Sequence, residues 1–337
     1  MIIPYRTQRV LKQILVTAAA AVVVLVAIWA CWLLWVQRYI VYTDEGGARL
    51  DFNLPPMQEG ELAVEPEEMD ISIYLNQGDD AIVTSTELAQ LSGYYVELDA
   101  LADISTVKSQ IQALEAGTAV MVDVKNIHGD FFYSSAVGTP RSSKVDTEAM
   151  DNLISYLNCS GMYTIARIPA FRDYYFGLNN VPYGVPHSSG GYLYQDDAGC
   201  YWLNPGSEGA LSYLTQIITE LKDLGFDEVV LYDFCFPETT SILVNGDKTE
   251  LLTNAANVLL SACATNNFAV SFEKTAEFTM PTGRTRMYLA GLEASEAAQA
   301  AADSGVPDTA INLVFLTVLY DTRFNEYSVM RPLSGAH

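Results

Sequence analysis

The chain has 337 residues, half of them hydrophobic, which is enough to bury one large core. Its 41 acidic residues against 18 basic ones leave a formal net charge of −23, a balance that repels phosphodiester backbones and argues against nucleic acid as a partner. Three histidines without metal-ligand spacing, cysteines without a CxxC pair, no glycine-rich phosphate loop after a strand and no G-x-S-x-G elbow give no support to a metal centre, a nucleotide cofactor or a serine hydrolase.

From Ile14 to Val36 no residue is charged, and as a helix rising 1.5 Å per residue this run spans about 30 Å of hydrocarbon. Trp29, Trp32 and Trp35 crowd its C-terminal end, where indoles favour the lipid–water interface. A cleaved signal peptide has an apolar core of roughly 7–15 residues ending at small side chains. The longer run here, ending in Trp-Leu-Leu-Trp-Val, reads instead as a retained transmembrane helix over 14–36. Arg6, Arg9 and Lys12 precede it and the first acidic residue is Asp44, so residues 1–13 are expected in the cytoplasm and the rest outside the cell membrane, in a single-pass arrangement.

Residues 37–68 are rich in Asp, Glu, Gly and Pro, with Pro55-Pro56 in the middle, and read as an acidic stalk extended by self-repulsion. The extracytoplasmic domain is expected over 69–337. Ile71–Leu75 reads as a strand and Ser85–Leu91 as a short helix. Cys159, Cys200, Cys235 and Cys263 fall where disulfides are permitted, and their spacing leaves zero, one or two bridges open.

From Gly93 onward, apolar β-rich runs at Tyr94–Leu98, Ala119–Val124, Tyr163–Ile168, Glu228–Tyr232, Phe268–Phe272, Thr285–Leu289 and Ile311–Val318 alternate with helical stretches such as Ser105–Leu114, Thr147–Asn158, Gly209–Leu224 and Thr249–Ala264. Alternation of this kind predicts an α/β fold with a parallel sheet and right-handed crossovers. Seven strands in about 245 residues approach a (β/α)8 TIM barrel. No eighth strand is evident, and the link between the fifth and sixth is short and not clearly helical. The expectation is a barrel left incomplete or closed irregularly, with a doubly wound open sheet as the alternative.

In such a barrel the functional groups collect where strands end. Those ends here supply Asp123, Lys125 and His128 after the second strand, Arg167 at the third, Tyr232 and Asp233 at the fourth and Glu273 at the fifth. Parallel strands lie about 4.8 Å apart. Carboxylates on strands four and five then fall roughly 5–9 Å apart, the range for two-carboxylate hydrolysis of a glycosidic bond. Charged groups at strand ends equally cap loops or pair with each other. The long segment Pro169–Gly206 carries Phe171, Tyr174, Tyr175, Tyr192, Tyr194, Tyr201 and Trp202 beside Asp173, Asp196 and Asp197. Aromatic faces beside polar groups suit sugar rings, and equally form a small core beneath a loop.

Several motifs lie in register over Gly93 to Glu273: Met121-Val122-Asp123-Val124-Lys125 with Gly129, Ile165-Ala166-Arg167-Ile168-Pro169-Ala170-Phe171-Arg172-Asp173, Trp202-Leu203-Asn204-Pro205, and Leu224-Gly225-Phe226-Asp227-Glu228-Val229 leading to Asp233 and Phe236-Pro237. Together with Ser271-Phe272-Glu273 they resemble a bacterial glycoside hydrolase-like family expected to form a barrel of the α-amylase type. The resemblance implies Asp233 as nucleophile or its equivalent and Glu273 as general acid/base. Asp123, Lys125, His128, Arg167, Asp173, Tyr175, Trp202, Asn204 and Tyr232 are the candidates for binding a polysaccharide or oligosaccharide, and the scheme requires neither metal nor other cofactor. Cys235 stands where that family has an arginine, Asn126 where an acidic residue is usual, and the C-terminal third matches poorly. The departures favour a second reading, a catalytically inactive glycan-binding or cell-envelope scaffold protein that keeps the barrel.

Overall fold

Eight short apolar runs pair side by side, each parallel to its neighbour, until the last meets the first. They are β1 (Ser92–Val96), β2 (Ala119–Asp123), β3 (Tyr163–Pro169), β4 (Glu228–Tyr232), β5 (Ala269–Glu273), β6 (Met287–Ala290), β7 (Leu313–Leu316) and β8 (Ser328–Pro332). The hydrogen-bonded order is β8-β1-β2-β3-β4-β5-β6-β7, a closed barrel. This computed structural model describes residues 88–138 and 144–333, the antiparallel strand pair Ile40–Tyr42 and Ala48–Leu50, and the single positions Leu25, Trp29 and Trp32. The chain divides into two units, Met1–Ala81 and Ile82–His337, and the barrel is the second.

The expectation of an incomplete or irregularly closed barrel is therefore corrected: β8 pairs with both β7 and β1. The alternative of an open doubly wound sheet falls with it. Ser328, whose polar side chain obscures the strand pattern, is fully buried and accepts the Leu91 N–H at 2.9 Å. Apart from Leu25, Trp29 and Trp32, the segment 14–36 lies outside the described residues, as do 71–75 and most of the stalk. Among the described residues no helix is long and apolar enough to cross a membrane. The stalk region holds the short strand pair, with Ile40 opposite Leu50. Residues 88–91, the described part of the helix expected at 85–91, are not helical. Cys159, Cys200, Cys235 and Cys263 are all free thiols.

Strand side chains alternate between two cores. Val120, Val122, Ile168, Val229, Leu231 and Val270 face outward into the layer between sheet and helices. Ala119, Met121, Ile165, Val230, Tyr288, Val314 and Met330 fill the barrel. The helices that cover the outside are α1 (Ile104–Gln112), α2 (Thr147–Cys159), α4 (Glu208–Asp223) and α5 (Lys248–Cys263), with α3 (Tyr174–Asn179) inside the long segment and the shorter α6 (Ala297–Asp303) and α7 (Thr309–Asn312) near the end. Asp103, Asp146 and Asp247 cap α1, α2 and α5 through the N–H groups of Thr106, Ala149 and Glu250, each contributing about 1 kcal/mol. In α4 the buried positions Ala210, Tyr213, Leu214, Ile217, Ile218 and Leu221 recur every three or four residues. Each large one contributes roughly 1.5–3 kcal/mol by leaving water. No helix connects β5 to β6, where only two residue pairs join the strands.

Two features close the bottom, the N-terminal end of the strands. Gly93 lies opposite Ala119, whose carbonyl oxygen would sit 2.0 Å from an added Cβ. Gly93→Ala is therefore expected to destabilise by about 1–3 kcal/mol or more, through overpacking against backbone that cannot rotate away. Thermal denaturation reads this directly, and an unchanged midpoint would contradict it. Beside it, Glu228 and Arg286 form an ion pair, 0% and 1% exposed. Glu228 also accepts from Tyr163 Oη at 2.9 Å and Tyr288 Oη at 2.8 Å. Arg286 donates onward to the carbonyls of Ala89 at 2.7 Å and Ile311 at 3.2 Å.

Candidate active site at the barrel mouth

The same two-residue period that fills the barrel sets its upper rim. Continuing inward from Met121, Ile165, Val230 and Ser271, the next inward positions are Asp123, Arg167, Tyr232 and Glu273. Asp123 and Arg167 are register partners on neighbouring strands. The Arg167 guanidinium lies between two carboxylates, with Nη1 at 3.1 Å from Asp123 Oδ1. Its Nε and Nη2 donate to Glu273 Oε2 at 3.2 and 2.9 Å. It also stacks over the Tyr232 ring, 4.2 Å from the centroid. Burial opposes the Arg167 charge, but Asp123 and Glu273 outweigh it and its pKa is raised. Asp123 moves the other way from a simple ion pair: burial raises its pKa, Arg167 opposes, and Glu273 adds to the rise. Both contacts to Glu273 fall on one oxygen, leaving Oε1 outside the pair.

Asp233 follows β4 directly. Its φ of +50° is in the left-handed region, shared among described non-glycine residues only with Asp308. Aspartate tolerates this conformation better than most side chains, and such positions collect at functional turns. Burial raises the Asp233 pKa; Arg172 opposes it, Glu273 adds to the rise, and Arg167 opposes it again. Arg172 Nη1 stands 3.7 Å from Asp233 Oδ2. The other side of Arg172 is fixed, since Nε donates to Asp196 Oδ2 at 2.7 Å and Trp202 Nε1 donates to the same oxygen at 3.0 Å. Burial works against the Asp196 charge, but the Cys200 N–H, Arg172 and Trp202 outweigh it and bring its pKa below the usual value.

The other residues expected to bind substrate are not gathered at this rim. Lys125 and Asp173 form a 2.6 Å ion pair with each side chain 1% exposed. Asp173 also accepts from Tyr213 Oη at 3.0 Å and from the Phe176 N–H, capping α3. The pair forms a buried tie between the segment after β2 and the long segment after β3. Asn204 Oδ1 accepts the Gly206 N–H at 2.9 Å and shapes a turn. His128 is exposed, with Nδ1 at 3.5 Å from the buried Cys200 Sγ. The Tyr175 N–H donates to the His128 carbonyl. Several of the aromatics pack on each other: Phe176 stacks on Tyr213 at 3.7 Å, Tyr174 on Tyr201 at 5.6 Å, and Phe171 lies 5.0 Å from Phe234. Tyr192, at 58% exposure, stacks on His187 with ring centroids 4.7 Å apart.

A cavity of about 730 Å³ opens at the mouth, with Asp123, Arg167 and Tyr232 in its wall alongside Glu97 and Glu293. Sequence reading passes over Glu97, Glu293 and Arg172. Glu97 directly follows β1 and obeys the strand-end rule, but is hidden when the strand is read as Tyr94–Leu98. Arg172 lies beyond its strand, and only the folded segment brings it to Asp233.

No curated protein matches the chain. Among solved structures, it is similar to a hypothetical protein from Ruminiclostridium thermocellum ATCC 27405, with 20% identity over 53% of this chain and 96% of that one and a TM-score of 0.45. It is also similar to the exo-β-N-acetylglucosaminidase of Vibrio harveyi, with 10% identity over 72% of this chain and 50% of that one and a TM-score of 0.50. The β-N-acetylhexosaminidase of Bacteroides fragilis follows with 10% identity over 69% and 51% and a TM-score of 0.46. The chain thus spans about half the length of these two enzymes, and likeness at such identities is one of fold. A family model for a putative glycosyl hydrolase domain matches residues 93–267, from the first barrel strand to the approach to the fifth and just over half of the chain. The chain belongs to this putative glycosyl hydrolase domain family.

Proposed function

We propose that the protein hydrolyses glycosidic bonds in an extracellular or cell-wall polysaccharide or oligosaccharide, using Asp233 and Glu273. One observation carries the reading: two carboxyl groups, Asp233 and Glu273, stand at neighbouring strand ends of a barrel in this family. Burial favours the protonated form of Asp233, whereas Glu273 is ion-paired with Arg167. A carboxyl inclined to hold its proton beside one held by a cation can divide acid and base work with it. This division favours Asp233 as the acid that protonates the leaving oxygen and Glu273 as the carboxylate facing the oxocarbenium-like centre, the reverse of the amylase analogy. Asp123 and Tyr232 would contact the sugar, and the scheme uses no cofactor. The uncharged segment 14–36, with Arg6, Arg9 and Lys12 before it, would hold the domain at the outer face of the cell membrane.

Release of new reducing ends from a panel of cell-wall and α-glucan oligosaccharides tests the reading; no release from any of them contradicts it. Arg172 supplies a pH test. It opposes the rise in the Asp233 pKa, so Arg172→Gln is expected to move the Asp233-controlled limb of the kcat/KM profile to higher pH. For an acid that works protonated this is the alkaline limb. A limb that stays in place would show that Arg172 does not tune Asp233.

Two observations favour the second reading, a glycan-binding or scaffold protein without turnover. Arg167 already occupies Asp123 and Glu273, so a substrate must compete with an existing pair. Cys235, its thiol pushed up to about 11 by burial, is neutral at physiological pH and cannot replace the charge of the arginine in the similar family. Binding without product from the same panel would select this reading.

A further inference from the structure

The mouth is chemically divided. Asp123, Arg167, Asp233 and Glu273 stand at or near the ends of β2 to β5, whereas the segments after β1, β6 and β7 present Leu98, Leu292, Val318 and Leu319. The 730 Å³ cavity touches both halves, with Asp123, Arg167 and Tyr232 in one wall and these four apolar side chains, beside Glu97 and Glu293, in the other. Packing does not require the apolar wall. Leu313 and Val314 of β7 are fully buried, yet the apolar run continues past the strand into solvent, with Val318 63% and Leu319 41% exposed. Leu98 across the rim is 44% exposed. Nor is the segment loose: the Leu319 N–H donates to Thr317 Oγ1 at 3.0 Å, and the Thr317 N–H to the Met330 carbonyl at 3.1 Å. Large apolar side chains held in contact with water beside a polar site mark a surface that a ligand covers.

We infer that the site takes amphiphilic glycosides, with the sugar against Asp123, Arg167 and Tyr232 and a hydrophobic alkyl or aryl aglycone against Leu98, Val318 and Leu319. The sugar end of this assignment rests on the glycosidase reading; the apolar end rests on the cavity wall alone. The volume lies within the range of sites that enclose a ligand larger than one sugar ring. Each methylene fully removed from water tightens binding roughly fourfold. A half-open wall captures part of that, so about tenfold between an octyl and a methyl aglycone is expected.

The test measures binding of methyl and octyl glycosides of glucose, galactose and N-acetylglucosamine, both anomers, to the full chain below micelle-forming concentrations. The double variant Val318→Ser, Leu319→Ser serves as the control for apolar binding elsewhere on the chain. At least one sugar should show the octyl form about tenfold tighter than the methyl form, and the ratio should fall to about twofold in the variant with methyl binding unchanged. Should the double variant lose its fold, Val318→Thr alone, at an exposed position, reads the same ratio. Equal binding of the two forms, a ratio that survives the substitutions, or binding of neither overturns the inference. An octyl preference without hydrolysis keeps this inference and removes the hydrolase reading; hydrolysis without the preference does the reverse.

Discussion

Arg286→Met is expected to destabilise the protein by about 3–5 kcal/mol, because it leaves the Glu228 carboxylate buried without its counter-charge. Glu228 is fully buried at the barrel floor, and the two tyrosine hydroxyls that remain cannot neutralise it. For a domain of this size the loss corresponds to roughly 10 °C in the thermal midpoint. Burial first and the same carboxylate second raise the pKa of Tyr163 and Tyr288, so both phenols stay neutral donors to Glu228 and supply no counter-charge. The paired replacement Glu228→Met with Arg286→Met should recover much of the loss, since an apolar pair avoids the desolvation that the ion pair incurs. Denaturant unfolding of the two single variants and the double one checks this. Additive losses in the double variant would show that the pair is not a unit.

The second large effect concerns chemistry. Asp233→Asn removes a group that burial keeps inclined to hold a proton, and should lower turnover of unactivated glycosides by about 10²–10⁴-fold. Aryl glycosides with weakly basic leaving groups need less protonation, so their loss should be much smaller. Glu273→Gln should lose both classes equally, because the developing positive charge at the sugar is then unmet whatever leaves. It also removes one partner of Arg167, so thermal midpoints must accompany the kinetics. If the leaving-group dependence appears in Glu273→Gln and not in Asp233→Asn, the amylase-type division of roles is right and the one argued from burial is wrong.

Much of the fold is legible in the chain because its strands are short, β-rich and separated by amphipathic helices. Glu228–Tyr232 and the start of the helix at Thr147 are read to the residue. The eighth strand escapes because Ser328–Pro332 is five residues long, starts on a buried serine and ends on arginine and proline. What makes Ser328 compatible with burial is a partner 237 residues away, the Leu91 N–H. The site shows the same split. Period-two alternation brings Asp123, Arg167, Tyr232 and Glu273 to one rim, which the chain order alone predicts. Pairing is not readable in that way. Lys125 sits two residues beyond Asp123 yet turns to Asp173, and Arg172 reaches Asp233 only through the folding of the segment after β3. Arg286 falls inside the strand read at Thr285–Leu289, and its role appears only when the barrel closes around Glu228.

The most direct test of the central claim follows reducing-end release from the oligosaccharide panel by the native chain and by Asp233→Asn under identical conditions. Release by the native chain that falls at least about 10²-fold in the variant, with the thermal midpoint unchanged, is the result predicted here. Release that the variant retains in full would contradict the assignment of this carboxyl group, and with it the two-carboxylate site at the mouth of the barrel.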